Sequence, residues 1–297
     1  MVATRTARRA AHNRSLPFLA LWRRDDVTDS VVDFLPTPTI AVLPIVAKPL
    51  RAAQQRVLLT AVRRRGKTLP SPPRTRALLE TLIVGEPRYF REDWKGGLAQ
   101  WSPDVYAPAQ SASYTVRRSH VGASYLEITK DGNSVNGHGG LLRDIHGNFG
   151  KYLIVNRLRV TMSYVTCEPA SAVGYVLVIG SGAPVGGPRF NREIDESTSL
   201  VWFPYESNAD RVVLVEEATP HTTYTIDAVF HHERGTCHGS ADISVNGQQV
   251  ARGAKCHPYR PLSKVSVYNY GMGTSVIEEI EVWSEVAAPN QVWAYFE

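Results

Sequence analysis

The sequence predicts a mainly β protein, a two-sheet antiparallel β-sandwich preceded by a small α-helical module. Three observations carry this. Ala241-Asp242-Ile243-Ser244-Val245 turns on Asn246-Gly247 and returns through Gln248, Gln249, Val250 and Ala251. An Asn-Gly pair between alternating runs specifies a type I′ hairpin, because both central residues need positive φ. Runs of period-two alternation recur from Ala112 to Trp283, separated by turn residues and without βαβ spacing, as in two antiparallel sheets packed face to face. Helical spacing of apolar residues is confined to the N-terminal part, as in Val27, Val31, Phe34 and Leu35.

Charge divides the chain in the same place. The net charge is +5, but residues 1–80 carry fifteen Lys/Arg against five acids, leaving −5 for 81–297. A basic segment can meet nucleic acid, an anionic membrane or an acidic partner, or simply stay solvated; the expected partners here are proteins, not nucleic acid or membrane. No apolar run reaches the roughly 20 residues that span a bilayer, the longest being broken by Pro44 and Pro49. Leu16 to Trp22 runs straight into Arg23-Arg24-Asp25-Asp26 without a small-residue cleavage site, unlike a secretory signal. Three cysteines, an odd number, suit a reducing compartment. The expected location is the cytoplasm or nucleus. The alternative is mitochondrial, because Met1 to Arg24 is Arg-rich and acid-free, as presequences are.

In chain order, residues 1–20 read as a basic disordered arm and 21–62 as the helical module. Asp25 or Asp26 can cap its first helix, Pro36 and Pro38 end it, and Ala52 to Leu59 is a good helix former. Residues 63–86 read as a basic, Pro-rich linker, with Arg63-Arg64-Arg65-Gly66-Lys67 and Ser71-Pro72-Pro73-Arg74, and a short helix from Arg76 to Val84. The sandwich covers 87–286, opening on an edge strand at Tyr89 and Phe90, and 287–297 is a tail. Leu158, Val160, Met162 and Tyr164 alternate with Arg157, Arg159, Thr161 and Ser163, which requires one buried and one wet face. Gly180-Ser181-Gly182-Ala183-Pro184-Val185-Gly186-Gly187 reads as a loop, and Glu193-Ile194-Asp195-Glu196 as a charged loop before a strand at 199–205.

Asp25-Asp26-Val27, Val31-Val32-Asp33-Phe34-Leu35-Pro36, Ile40, Leu43, Val46, Lys48 and Leu50 resemble an F-box, the helical module that docks on the Skp-type adaptor of cullin ubiquitin ligases. The resemblance implies a substrate-recognition subunit. Val31, Phe34, Leu35 and Pro36 would then face the adaptor, and the sandwich would bind a protein or glycoprotein target. The alternative is that this apolar stripe packs on the β-domain.

The segment from Phe90 to Trp101, Tyr224 to Phe230 leading into Ile243-Ser244-Val245-Asn246-Gly247, and Val267-Tyr268-Asn269-Tyr270 with Ile277 to Val282 resemble a concanavalin A-like or laminin-G-like jelly roll. That fold hosts lectins, glycosidases and adhesion modules alike. The resemblance therefore implies, as the alternative to a ligase role, a carbohydrate-binding sandwich or a glycosidase.

The residues favour binding over catalysis. Glucanases of this fold place three acids along one strand, so that alternation sets nucleophile and acid/base on one face. Glu193-Ile194-Asp195-Glu196 begins such a pattern, but Ser197 and Thr198 replace the last carboxylate. No Gly-x-Ser-x-Gly elbow or phosphate loop is present, and no cofactor is expected. Trp94, Trp101, Trp202 and Tyr205 are candidates to stack on a sugar ring or anchor a peptide, or else belong to the core. His231, Cys237, His238, Cys256 and His257 gather near one hairpin. In a regular two-residue hairpin Cys237 and Cys256 would be cross-strand partners, so the cluster offers free thiols, a disulfide or a zinc site.

Overall fold

The computed structural model describes residues 54–64, 67, 69–83, 87–103, 112–131, 140–145, 153–180, 184–194, 196–204, 211–232, 239–256 and 262–286. These form two compact units, divided between Val84 and Gly85.

In the first unit, Gln54–Arg64 forms α1 and Thr75–Ile83 forms α2. Val57, Leu58, Ala61 and Val62 lie on one stripe of α1, as 3.6-residue periodicity requires, and are buried against Leu78 and Leu82 of α2. Lys67 donates its backbone N–H to Val62 O at 3.1 Å, closing the end of α1, and its ammonium reaches Leu82 O at 2.7 Å. The short helix expected from Arg76 to Val84 forms as Thr75–Ile83, with its own core contacts. Its leucines, three and four residues apart in Leu78-Leu79 and Leu82, are what overrides the Pro-rich composition before it.

The second unit is all β among its described residues. Its strands are β1 (Pro87–Glu92), β2 (Ser102–Pro103), β3 (Ala112–Arg118), β4 (Ser124–Lys130), β5 (Gly140–Asp144), β6 (Leu153–Cys167), β7 (Ser171–Val173) and β8 (Tyr175–Gly180). They continue with β9 (Pro184–Arg192), β10 (Ser199–Phe203), β11 (Val212–Val215), β12 (Tyr224–His232), β13 (Gly239–Val245), β14 (Gln248–Cys256), β15 (Leu262–Tyr268) and β16 (Gly273–Val286). Every pairing is antiparallel. One sheet runs β14-β13-β12-β6-β16; the far edge of β16 pairs with β4 along its first half and β1 along its second, and β3 extends β4. The other runs β2-β5-β15-β8-β9-β10-β11. Among the described residues a single pairing, Leu262 with Leu153, links them.

The core lies between the two sheets. Leu158, Val160 and Met162 of β6 and Ile226, Ala228 and Phe230 of β12 are buried from one side, and Val176, Val178, Phe190, Leu200 and Trp202 from the other. Rings meet across the gap: Phe190 with Tyr164 at 4.8 Å and with Tyr224 at 5.9 Å, and Trp202 with Phe230 at 6.1 Å. One buried polar group ties the sheets' ends. Asn269 accepts the Gly174 N–H and the Ser275 hydroxyl on Oδ1, and donates through Nδ2 to the carbonyls of Ile128 and Gly273. All its bonds are made, as burial of an amide demands.

Two expectations are corrected here. Pro184 to Gly187, expected as the end of a Gly-rich loop, opens the strand Pro184–Arg192. Its glycines serve close approach, since a Cβ on Gly187 would collide with the Val176 carbonyl on β8. The Asn246–Gly247 turn forms as predicted, with φ of 50° and 81°, but β13 and β14 slip register twice beyond it, so Cys256 lies opposite Gly239 and not Cys237. Two bulges, each inserting one residue, account for the two-residue offset.

Candidate functional site

The outward face of the β13-β12-β6-β16-β1 sheet is built by register. Directly paired residues on neighbouring strands share a face, so side chains fall into straight rows across the strands. The central row reads Ser244, Asp227, Arg159, Glu281, Arg91. Beside it lies Val229, Arg157, Trp283, Tyr89, and on its other side Thr225, Thr161, Glu279.

Charges of opposite sign alternate along the central row and bond. Arg157 Nε donates to Asp227 Oδ1 at 2.6 Å, while Arg157 Nη2 and Arg159 share Oδ2, the latter through Nη2 at 2.9 Å. Arg159 Nη1 reaches on to Glu281 Oε2 at 3.3 Å, and Tyr89 donates its hydroxyl to Glu281 Oε1. Arg91 pairs with Glu279. Burial pushes the Asp227 carboxyl up, but the hydrogen bonds and charges of Arg157 and Arg159 outweigh it and hold the group below the ordinary aspartate value. The hydrogen bond to Glu281, followed by burial, raises the Tyr89 phenol, which keeps its proton. Trp283 packs against the Tyr89 ring at 5.2 Å, with the Arg157 and Arg159 guanidinium groups 4.9 and 5.4 Å from its ring centre.

Between the central and threonine rows is a depression of about 480 Å³, closed at one end by Gly247 of the hairpin turn. That turn is fastened to β12, because Asn246 donates its N–H to Thr225 O and accepts the Thr225 N–H on its side chain, both at 2.8 Å. Asp227 is saturated by arginines. The Ser244 hydroxyl, the Thr161–Thr225 hydroxyl pair at 3.3 Å and the second oxygen of Glu279 are what the floor presents to a ligand.

The sequence-predicted site residues lie elsewhere. Trp94, Trp101 and Trp202 are buried, which corrects their candidacy as ligand platforms. Trp94 and Trp101 stack on each other at 5.1 Å around the buried Glu92 carboxylate, which accepts the Trp94 N–H and the Trp101 indole N–H, each at 2.9 Å, and pairs with Arg143. Tyr205 lies outside the described residues, as do Val31, Phe34, Leu35, Pro36, Cys237, His238 and His257. His231 is exposed and pairs with Asp242 at 3.0 Å. Cys256 is buried, its thiol pushed up to about 12 by burial. Among the described residues no group of three or more His, Cys, Asp and Glu could hold a metal, and no helix is long and apolar enough to cross a membrane. Glu193 lies in the turn after β9, where Arg211 and then Asn191 bond its carboxyl and hold it below the ordinary range.

The opposite sheet has its own aromatic cluster. Tyr175 stacks on Tyr268 at 4.4 Å, and the Arg189 guanidinium lies 4.9 Å from the Tyr175 ring centre and 4.0 Å from that of Phe203. Tyr175 and Arg189 are buried, and burial pushes the Tyr175 phenol up to about 12. This cluster packs; the rows on the other face are open.

Sequence reasoning missed Asp227, Glu279, Glu281, Trp283 and Tyr89. One signal was there to find: Glu279-Ile280-Glu281-Val282-Trp283 alternates polar and apolar residues as Arg157 and Arg159 do. Which strands stand side by side was not.

No family model matches the chain, and no curated protein matches it. Solved structures do. The chain is similar to the apo Crh5 transglycosylase at 12% identity, over 69% of this chain and 90% of that one, with a TM-score of 0.41. It is similar to the cellulose-induced protein Cip1 at 11% identity, over 64% and 95%, with a TM-score of 0.44. A third likeness is to a prokaryotic β-1,3-1,4-glucanase (lichenase) derived from a mouse hindgut metagenome, at 12% identity, over 66% and 98%, with a TM-score of 0.43. No residue of this chain takes a role from any of them.

Proposed function

We propose that the β-sandwich is a non-catalytic carbohydrate-binding domain whose site is the outward face of the β13-β12-β6-β16-β1 sheet. The observation that carries this reading is the depression of about 480 Å³ lined by hydrogen-bonding groups, with the Trp283 and Tyr89 rings in the next row, on the far side of the central one. Its volume falls in the range of small-molecule sites, about 300–1,000 Å³. Sugars offer hydroxyls, which need fixed donors and acceptors, and C–H faces, which suit aromatic walls. Arg91 holds Glu279 and the Thr161 and Thr225 hydroxyls hold each other before a ligand arrives, which lowers the ordering cost of binding.

The arginine–carboxylate ladder speaks against Asp227 as the acid of a glycosidase. A general acid must hold a proton near neutral pH, and Asp227 is held ionised by two guanidinium groups. The ligase role implied by the F-box resemblance rests on Val31, Phe34, Leu35 and Pro36, which lie outside the described residues.

The test is a glycan array followed by tryptophan fluorescence titration. A binding glycan is expected to change the emission of the native chain, to lose at least about tenfold in affinity with Asp227→Ala, and to leave Trp283→Phe with a smaller spectral change. Release of reducing ends from the bound glycan would show that the domain is an enzyme and overturn the non-catalytic half of the reading.

A further inference from the structure

Resting on the carbohydrate reading above, we infer that the site takes an internal stretch of an uncharged, linear oligosaccharide, laid across the strands along the central row.

Three observations point to that ligand class. The first is charge. Arg91, Arg157 and Arg159 stand against Asp227, Glu279 and Glu281, so the ladder carries no net charge. A uronate or sulfated sugar in the depression would meet the carboxylates of Glu279 and Glu281 with no surplus guanidinium to answer it, and a like-charge contact in a half-buried site costs affinity. A neutral polyol meets no such cost.

The second is direction and length. The stretch of the central row that lines the depression, Ser244 to Glu281, spans three strand gaps, about 14 Å in all. A pyranose ring in an extended chain advances by roughly the same distance as one strand gap, about 4.8 Å. That stretch therefore matches about three rings lying perpendicular to the strands. A single ring would use only part of it.

The third is the shape of the ends. The hairpin turn at Gly247 bounds one end of the floor. At the other, Arg91 is half exposed and Tyr89 is 54% exposed. Among the described residues no strand pairs with the far edge of β1. A chain can continue past that end beside the Tyr89 ring.

Roles follow from the bonding. Asp227 is a positioning residue, saturated by Arg157 and Arg159. Ser244, Thr161, Thr225 and Glu279 address the sugar hydroxyls.

The experiment is calorimetric titration of the full-length chain with gluco-, xylo- and manno-oligosaccharides of one to six rings, and with oligogalacturonides of the same lengths. Expected is affinity for a neutral series that rises at least about tenfold from one ring to three and levels off by about four, with the acidic series at least about tenfold weaker. Thr161→Val, which removes a floor hydroxyl and keeps the side chain's shape, is expected to weaken the neutral oligosaccharide about threefold or more and leave the melting temperature unchanged. Acidic chains binding as well as neutral ones, or a monosaccharide binding as well as a trisaccharide, would overturn this inference and leave the carbohydrate reading standing. Silence from every glycan, neutral and acidic, would remove both.

Discussion

Asp227 shows how one carboxylate can organise a face. It lies in the middle of β12, flanked in the sequence by Ile226 and Ala228, which point into the core. Register sets Arg159 directly across from it on β6 and Arg157 on the diagonal. With the Asp227 side chain 18% exposed, the pair belongs to the half-buried class, in which charge-assisted bonds contribute more than surface pairs do. Replacing it by Asn leaves Arg157 and Arg159 without their anion, and a loss of about 1–3 kcal/mol at neutral pH is expected. The sign with pH follows from the direction of its shift. A carboxyl depressed in the folded state stabilises fully above its unfolded value, near 3.9, and that contribution fades as pH falls through the lower folded value. Urea midpoints of wild type and Asp227→Asn should therefore differ most at pH 6–7 and draw together as pH falls below about 4. A gap of constant size across that range would mean the variant acts through packing and not through charge.

At the scale of elements, alternation and turn chemistry were legible and register was not. The Asn246–Gly247 hairpin could be read directly, since the residues that tolerate positive φ announce it. So could β6, where four inward residues alternate with four outward ones. The strand β9 could not, because Gly186-Gly187-Pro188 carries every local mark of a loop. What makes it a strand is non-local: the Val176 carbonyl of β8 approaches Gly187 so closely that no side chain fits between them. Gly187→Ala is expected to force β8 and β9 apart and to cost about 2 kcal/mol or more, as overpacking against backbone does. Amide exchange would read it most clearly. Faster exchange confined to β8, β9 and β10 is the expected outcome, and uniform change across both sheets would point to a global effect in place of a local one. The candidate site was hidden for the same reason as β9. Each row is assembled from strands far apart in sequence, Arg91 facing Glu281 and Asp227 facing Arg159, and no local pattern records that adjacency.

At the scale of the molecule, the charge boundary and the structural boundary coincide. Residues 1–80 carry +10 and 81–297 carry −5, and the two compact units divide between Val84 and Gly85. The helices α1 and α2 bury their leucines and valines on one another, and the core described for the sandwich is supplied by its own strands. A fragment of residues 85–297 therefore contains the buried apolar surface that folding of the sandwich requires, in a chain well above the size at which a single core becomes marginal. It also contains every residue of the proposed site. The expected result for that fragment is a single cooperative unfolding transition, and glycan affinity within about threefold of the full chain, since no lining group has been removed. Its net charge of −5 should also reverse its behaviour on ion exchange, binding an anion exchanger at pH 7.5 where the full chain, at +5, binds a cation exchanger. A folded fragment with no glycan affinity, beside a full chain that has it, would place binding residues in the basic N-terminal unit and move the site off the sheet face. An unfolded fragment would mean that the sandwich needs surface from residues 1–84 to close its core, and the division between Val84 and Gly85 would then be one of geometry but not of stability.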